Sequence, residues 1–112
     1  MKAEEMLNQL QKGHQELEKS IPETMERFWN FAEKAKEEGL LSKREKALAA
    51  LAAVMAKSCE RCIVRNLQDA ISAGISREEL AELCGLMMVL DGGPGFANSA
   101  FLLEKYDELI EQ

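Results

Sequence analysis

Apolar residues recur along this chain at spacings of three and four, the period that is typical of amphipathic helices. In the amino-terminal segment the apolar stripe consists of Met6, Leu7, Leu10 and Leu17. No segment shows the strict alternation of apolar and polar residues, or the enrichment in β-branched residues, that would indicate a strand. The pattern therefore predicts an all-α protein.

Glycines, prolines and capping residues divide this pattern into six predicted helices. A serine followed three residues later by a glutamate is the capping-box pattern of a helix amino terminus, and Gly74 is a typical left-handed helix terminator. The cluster 92–95, Gly-Gly-Pro-Gly, lacks the lysine and hydroxyl of a phosphate loop and predicts a helix break or a close backbone contact. The predicted segments run from about Ala3 to Lys19; from a cap at Ser20 and Glu23 to Gly39; from a cap at Ser42 and Glu45 through an alanine-rich run; from about Cys59 to Ala73; from Arg77 to Leu90 after a cap at Ser76 and Glu79; and from about Phe96 to Glu111.

The chain has 112 residues, of which 46% are hydrophobic and 30% charged, as expected of a globular protein. This length predicts one compact domain over residues 1–112. The longest apolar run, Ala47 to Ala56, is half of the roughly 20 residues that a membrane span requires. The acidic amino terminus lacks the apolar stretch of a signal peptide, so we expect a cytoplasmic protein without a membrane partner.

The net charge of −6 argues against binding to nucleic acid. Basic residues such as Lys43, Arg44 and Lys46 are interrupted by acidic ones, whereas a phosphate backbone requires a concentrated positive face. We therefore expect no nucleic-acid partner.

The motif Cys59-Glu60-Arg61-Cys62 is the strongest candidate for chemistry. Three cysteines in a protein without an export signal argue against a structural disulfide framework, which leaves three interpretations of the pair: redox-active or catalytic, metal-binding, or inert. At the start of a helix, unpaired amide groups and the helix dipole would stabilise a thiolate at Cys59, and Lys57, Arg61 and Arg65 add positive charge. The polar surroundings favour a redox role, with Cys62 closing a disulfide.

A metal site is less well supported, because a structural zinc site needs four ligands. Neither Cys84 nor His14, the single histidine, stands at a ligand spacing. Cys84 lies in an apolar segment and is expected to be a small core residue. His14 is expected to be solvated, and Phe28 and Trp29 are expected to lie in the core. We predict no metal and no cofactor.

Several short motifs in a fixed order resemble the carboxymuconolactone decarboxylase-like family. The resemblance extends from about Leu17 to Leu109, and the cysteine pair resembles that of the alkylhydroperoxidase D-like branch. The matching motifs are 38–46 (EGLLSKREK), the alanine-rich helix, Cys59-x-x-Cys62, Ala73-Gly74-Ile75-Ser76, Glu78-Glu79 and Gly92-Gly93-Pro94.

This resemblance implies an all-helical fold and assembly into trimers, hexamers or related rings. The redox branch uses its cysteine pair to reduce peroxides or to exchange electrons with a dithiol carrier such as a lipoyl group. The decarboxylase branch opens a lactone ring with loss of carbon dioxide and generally lacks the pair.

The chain departs from the redox branch at two positions that form its proton relay. The branch has a histidine four residues after the second cysteine and a glutamate twelve before the first; here Asn66 and Ala47 stand at these positions. An amide does not take up a proton near neutral pH. Glu45 lies about 200° around the helix axis from position 47 and is a poor substitute. We expect thiol–disulfide exchange to survive this loss better than fast peroxide turnover.

The leading hypothesis is a thiol-dependent redox protein that reduces peroxides or exchanges dithiols and disulfides through Cys59 and Cys62. The resemblance favours Cys62 as the attacking thiol, whereas the helix terminus favours Cys59. One alternative is a non-catalytic redox-sensing or binding protein, so an enzymatic activity is left open. Another is a decarboxylase-like small-molecule enzyme with a pocket whose polar groups are not the cysteines. Strongly apolar stripes near the carboxyl terminus also predict a homo-oligomer.

Overall fold

The computed structural model describes residues 1–111, which form helices and contain no strand. The all-α prediction is therefore confirmed. The elements are α1 (Ala3–Ser20), α2 (Pro22–Lys36), α3 (Lys43–Ala56), α4 (Glu60–Ser72) and α5 (Arg77–Ile110). Five elements are found rather than six because the two helical arms of residues 77–110 follow each other without a connecting loop, with the non-helical residue Gly92 between them.

The core lies where α3, α4 and α5 meet. The largest completely buried side chains are Leu51, Met55, Ile63, Val64, Leu67, Leu80 and Leu102. Burial of an apolar side chain of this size contributes about 1.5–3 kcal/mol, which makes this junction the main source of stability.

Helix α5 folds back on itself at Gly92. This glycine adopts φ 58° and ψ −131°, a conformation that suits a residue without a Cβ atom. Beyond it, the Ser99 hydroxyl donates to the Cys84 carbonyl oxygen at 3.4 Å, although residues 15 apart would be separated by about 22 Å along a straight helix. A Cβ atom at Gly95 would lie 2.5 Å from the Met87 carbonyl oxygen. The glycine cluster thus provides both the predicted break and the predicted close contact.

The fold-back limits the length of straight apolar helix that α5 provides. An 18-residue window of α5 reaches a mean hydropathy of 1.2, so by length and composition alone the helix could cross a membrane. Gly92 divides it into arms of residues 77–91 and 93–110 that fold back on each other, so α5 is not one straight helix.

Helices α1 and α2 form an outer layer. Ala3 and Met6 of α1 pack with Val64 in a second apolar cluster, whereas α2 packs chiefly on α1. The expectation that Phe28 and Trp29 lie in the core is wrong: Phe28 is 51% exposed and Trp29 is half-buried, since no other element covers α2 from outside.

Two of the three predicted capping boxes are present. In both Ser42–Glu45 and Ser76–Glu79, the serine hydroxyl accepts from the glutamate amide and the glutamate carboxylate accepts from the serine amide. The third prediction, a cap at Ser20, is wrong because α1 continues through Ser20 and leaves Ile21 alone between the two helices.

Candidate functional site

The cysteine pair lies at the amino terminus of α4, as the sequence predicts. Cys59 is the residue that precedes the first helical position, and Cys62 lies in the first turn. Their Cα atoms are 5.2 Å apart and their sulfur atoms form a disulfide. Both residues are half-buried. The Cys59 side chain caps no amide in this oxidised state, so a thiolate released by reduction would lie beside the unpaired amides of the first turn.

Asn98 hydrogen-bonds to the turn that precedes Cys59, a role that the sequence did not predict. Ser58 has φ 54°, the left-handed conformation, which is unfavourable for a residue other than glycine. The buried Asn98 amide donates to the Ser58 hydroxyl at 3.0 Å and to the Met55 carbonyl oxygen at 2.9 Å. The available signal was a pair of polar residues, Asn98 and Ser99, within the otherwise apolar segment 96–103. Asn98 therefore positions the turn immediately before the disulfide.

The positive charges predicted around Cys59 are mostly engaged elsewhere. Arg61 donates to Gln9 of α1 at 3.1 Å, and Arg65 pairs with Asp69 at 2.6 Å. Within residues 1–111, the Lys57 ammonium makes no ion pair or hydrogen bond. Stabilisation of a thiolate at Cys59 therefore depends mainly on the helix terminus, on Lys57 and on Arg61, whose neutral partner Gln9 does not cancel its charge.

The residues at the relay positions supply no acid or base. The Asn66 amide donates to the Cys62 carbonyl oxygen at 2.8 Å, one turn back along α4. Ala47 faces the same cavity as Asn66, so the two positions are close in space. Glu45 is held in the capping box of α3, where it accepts from the Ser42 amide at 2.7 Å. Glu45 thus does not replace a carboxylate at position 47.

Ala47 and Asn66 line a cavity of about 330 Å³ between α3 and α4, and neither cysteine belongs to its wall. The other residues of the wall are Lys36, Lys43, Lys46, Ala50, Arg65, Asp69, Ser72 and Ala73. The chain thus places two features along α4: the disulfide at its start and this cavity beside its middle.

The remaining candidate residues lie apart from the disulfide. Cys84 is a buried free thiol in the core. His14 packs edge-on against Trp29, with 5.1 Å between the ring centres, so it is half-buried rather than solvated as expected. No group of three or more histidine, cysteine, aspartate or glutamate side chains suited to a metal ion occurs in the described part of the chain.

Comparison with known proteins agrees with this architecture. The carboxymuconolactone decarboxylase family profile matches residues 22–105. The chain belongs to the carboxymuconolactone decarboxylase family. A crystal structure of a family member from Legionella pneumophila, in its apo form, is 31% identical, with a TM-score of 0.88 over 95% of each chain. An uncharacterized protein from Cupriavidus necator is 30% identical over 88 residues, which cover 79% of this chain and 78% of that protein.

Membership of the carboxymuconolactone decarboxylase family confirms the resemblance found in the sequence, and the Cys59–Cys62 pair of the redox branch is present as a disulfide. The names of these relatives assign no activity to the pair.

Proposed function

We propose that this protein is a thiol–disulfide redox protein whose reactive group is the Cys59–Cys62 pair. The observation that carries the proposal is the position of the disulfide: it closes the first turn of α4, where a helix terminus stabilises the thiolate that reduction releases. A half-buried pair at a helix end is accessible to a small dithiol.

The exchange reaction balances with a dithiol as the reductant. One thiolate of the external dithiol attacks a sulfur of the disulfide, forms a mixed disulfide and releases the other cysteine as a thiolate. The second thiol of the dithiol then attacks the mixed disulfide. The external molecule leaves as an intramolecular disulfide, and the remaining protein cysteine is released as a thiolate. Two electrons pass to Cys59 and Cys62, which take up two protons when both become thiols.

Dithiol–disulfide exchange is favoured over rapid peroxide reduction because the site has no general base. Attack on a peroxide by a thiolate yields a sulfenic acid and an alcohol or water, and the leaving oxygen requires a proton. The Asn66 amide and the Ala47 methyl group cannot exchange protons near neutral pH. A missing general acid–base group lowers the rate by roughly 10²- to 10⁴-fold.

Peroxide consumption with a dithiol reductant tests this assignment in wild type, Asn66→His and the two single variants Cys59→Ser and Cys62→Ser. We expect slow turnover in wild type, faster turnover in Asn66→His and no turnover in either serine variant. Trapping of a sulfenic acid in the serine variants identifies the attacking cysteine, because only the variant that retains this cysteine reacts. Turnover that is equal in wild type and both serine variants would overturn a role of the pair.

A second candidate function, a small-molecule enzyme of the decarboxylase type, is favoured by the cavity beside Ala47 and Asn66. The polar groups in its wall do not include either cysteine, so catalysis there would not need the disulfide. A Cys59→Ser/Cys62→Ser double variant separates the two candidates: it loses every redox activity but would keep a cavity-based one.

We further propose that the protein is a homo-oligomer. Phe31 on α2 is 71% exposed, and around the bend of α5 Val89 and Leu90 are 82% and 72% exposed. Apolar surfaces of this kind commonly mark protein interfaces. A second copy of the chain is the proposed partner because homo-oligomers are the common assembly of such faces.

A further inference from the structure

The cavity between α3 and α4 has a strongly positive wall in an acidic protein. Lys43 and Lys46 lie one turn apart in α3, and Arg65 lies on α4 across from them. Lys36, the last residue of α2, closes a third side. The wall contains one carboxylate, Asp69, besides these four cations. Its net charge is therefore +3 (4 − 1), whereas the net charge of the whole chain is −6.

The single carboxylate neutralises only part of this charge. Asp69 pairs with Arg65 at 2.6 Å and lies 3.8 Å from the Lys36 ammonium. Lys46 donates to the carbonyl oxygens of Ala35 and Glu37, which neutralise none of its charge.

Lys43 makes no ion pair or side-chain hydrogen bond among residues 1–111. Like charges held together without counter-charge repel one another, and a bound anion would relieve this repulsion.

Small side chains keep the centre of the cavity open. Ala47 and Ala50 of α3, with Ala73 at the end of α4, contribute methyl groups to the wall. The hydroxyl group of Ser72 and the Asn66 amide add uncharged polar groups at its edge. About 330 Å³ is at the lower end of the range for small-molecule sites, so the cavity suits a compact ligand.

From this arrangement we propose that the cavity binds a small phosphate monoester, with its phosphate group among Lys36, Lys43, Lys46 and Arg65. A phosphate monoester concentrates a charge of about −1.5 to −2 on one tetrahedral group near pH 7. Cations from three helices line the wall of the cavity, and an arginine guanidinium can donate two parallel hydrogen bonds to phosphate oxygens. The proposal rests on the cavity and is independent of the redox function of the cysteines.

Calorimetric titration with glycerol 3-phosphate tests the proposal, with glycerol as the neutral control and acetate as the singly charged one. We expect binding of the phosphate ester alone. Lys43→Ala should weaken it about fivefold, as for loss of one partly exposed charge contact. Lys12→Ala, which removes an exposed lysine of α1 outside the cavity, should leave it unchanged.

Two further variants change the charge of the wall in opposite directions. Ala47→Glu places a carboxylate in the cavity and should weaken binding by more than tenfold, whereas Asp69→Asn removes the one existing carboxylate and should strengthen it. Circular dichroism reports whether each variant is folded.

The Cys59→Ser/Cys62→Ser double variant should bind the ester as wild type does, even if the pair proves to have no redox activity. Absence of binding to wild type, equal binding of acetate, or equal losses in Lys43→Ala and Lys12→Ala would overturn the proposal.

Discussion

At the residue scale, the turn before the cysteine pair is held by a polar contact between distant parts of the chain. Ser58 holds the left-handed conformation that turns the chain into Cys59, and Asn98 donates from the second arm of α5 to hold it there. The spacing of Cys59 and Cys62 was sufficient to predict the pair from sequence. Asn98 was not predictable in the same way, because it lies 40 residues from Ser58 and only the folded chain brings them together.

Replacement of Asn98 by alanine should destabilise the protein by about 2 kcal/mol. The substitution removes both hydrogen bonds of the buried Asn98 amide, to the Met55 carbonyl oxygen and to the Ser58 hydroxyl, and each contributes about 0.5–1.5 kcal/mol. The Met55 carbonyl oxygen keeps the Ser58 amide as a donor. Urea denaturation measures the loss. Asn8→Ala, on the exposed face of α1, is the control and should change stability by less than about 0.5 kcal/mol. Equal effects of the two substitutions would contradict the role given to Asn98.

At the scale of elements, the sequence predicted helix starts well where the signal was local. The boxes Ser42–Glu45 and Ser76–Glu79 satisfy helix amides within three residues, so the same contacts form whatever the rest of the chain does. The same pattern failed at Ser20, because propagation of α1 through that residue outweighed the local cap. The break at Gly92 was predictable from composition, but the direction in which the arms fold back was not.

The fold-back of α5 predicts opposite effects for two glycine substitutions in one helix. Gly95→Ala should destabilise the protein by about 2 kcal/mol, because the new methyl group would meet the backbone of Met87, which cannot move aside cheaply. Gly85→Ala should stabilise it by about 0.5–1 kcal/mol, since nothing lies within 4 Å and alanine favours the helix. Thermal denaturation of both variants measures the difference. Stabilisation by Gly95→Ala would rule out the close contact.

The attachment of α1 to the end of α5 should depend on pH through Glu108. Burial raises the pKa of this carboxyl group, but the hydrogen bond from the Ala3 amide and the ammonium groups of Lys105 and Lys2 outweigh it, so the pKa lies below its ordinary value. A lowered pKa in the folded state stabilises the protein above the unfolded pKa of about 4.3, and this contribution is lost as the pH falls through the folded value.

Glu108→Gln should therefore lower the melting temperature by a few degrees at pH 7, and the difference from wild type should shrink below about pH 4. The exposed Glu104→Gln is the matched control and should show neither effect. A difference between Glu108→Gln and wild type that grows on acidification would have the wrong sign for this ion pair.

At the scale of the whole molecule, α2 and the bend of α5 expose apolar side chains that do not take part in the core. Phe28 and Trp29 were predicted to lie in the core because periodicity identifies an apolar face without showing what covers it. Phe28 shows the difference, since it lies on the apolar stripe of α2 and is 51% exposed.

Sedimentation at micromolar concentration should show an oligomer. Phe31→Glu and Val89→Glu, which place charges on the exposed apolar faces, should shift it toward the monomer while the helix content is retained. Lys12→Glu, on the exposed side of α1, should not. A wild-type monomer under these conditions would contradict the proposed assembly.

The most direct test of the redox function is a count of free thiols in buffers of defined thiol–disulfide potential. We expect two thiols to appear together, in one two-electron step with about 30 mV for each tenfold change in the ratio of reduced to oxidised protein, while the protein keeps its helical circular dichroism. Buried Cys84 should contribute one thiol at every potential. Release of the Cys59 and Cys62 thiols only upon unfolding, or no release at any potential, would contradict a redox role for the pair.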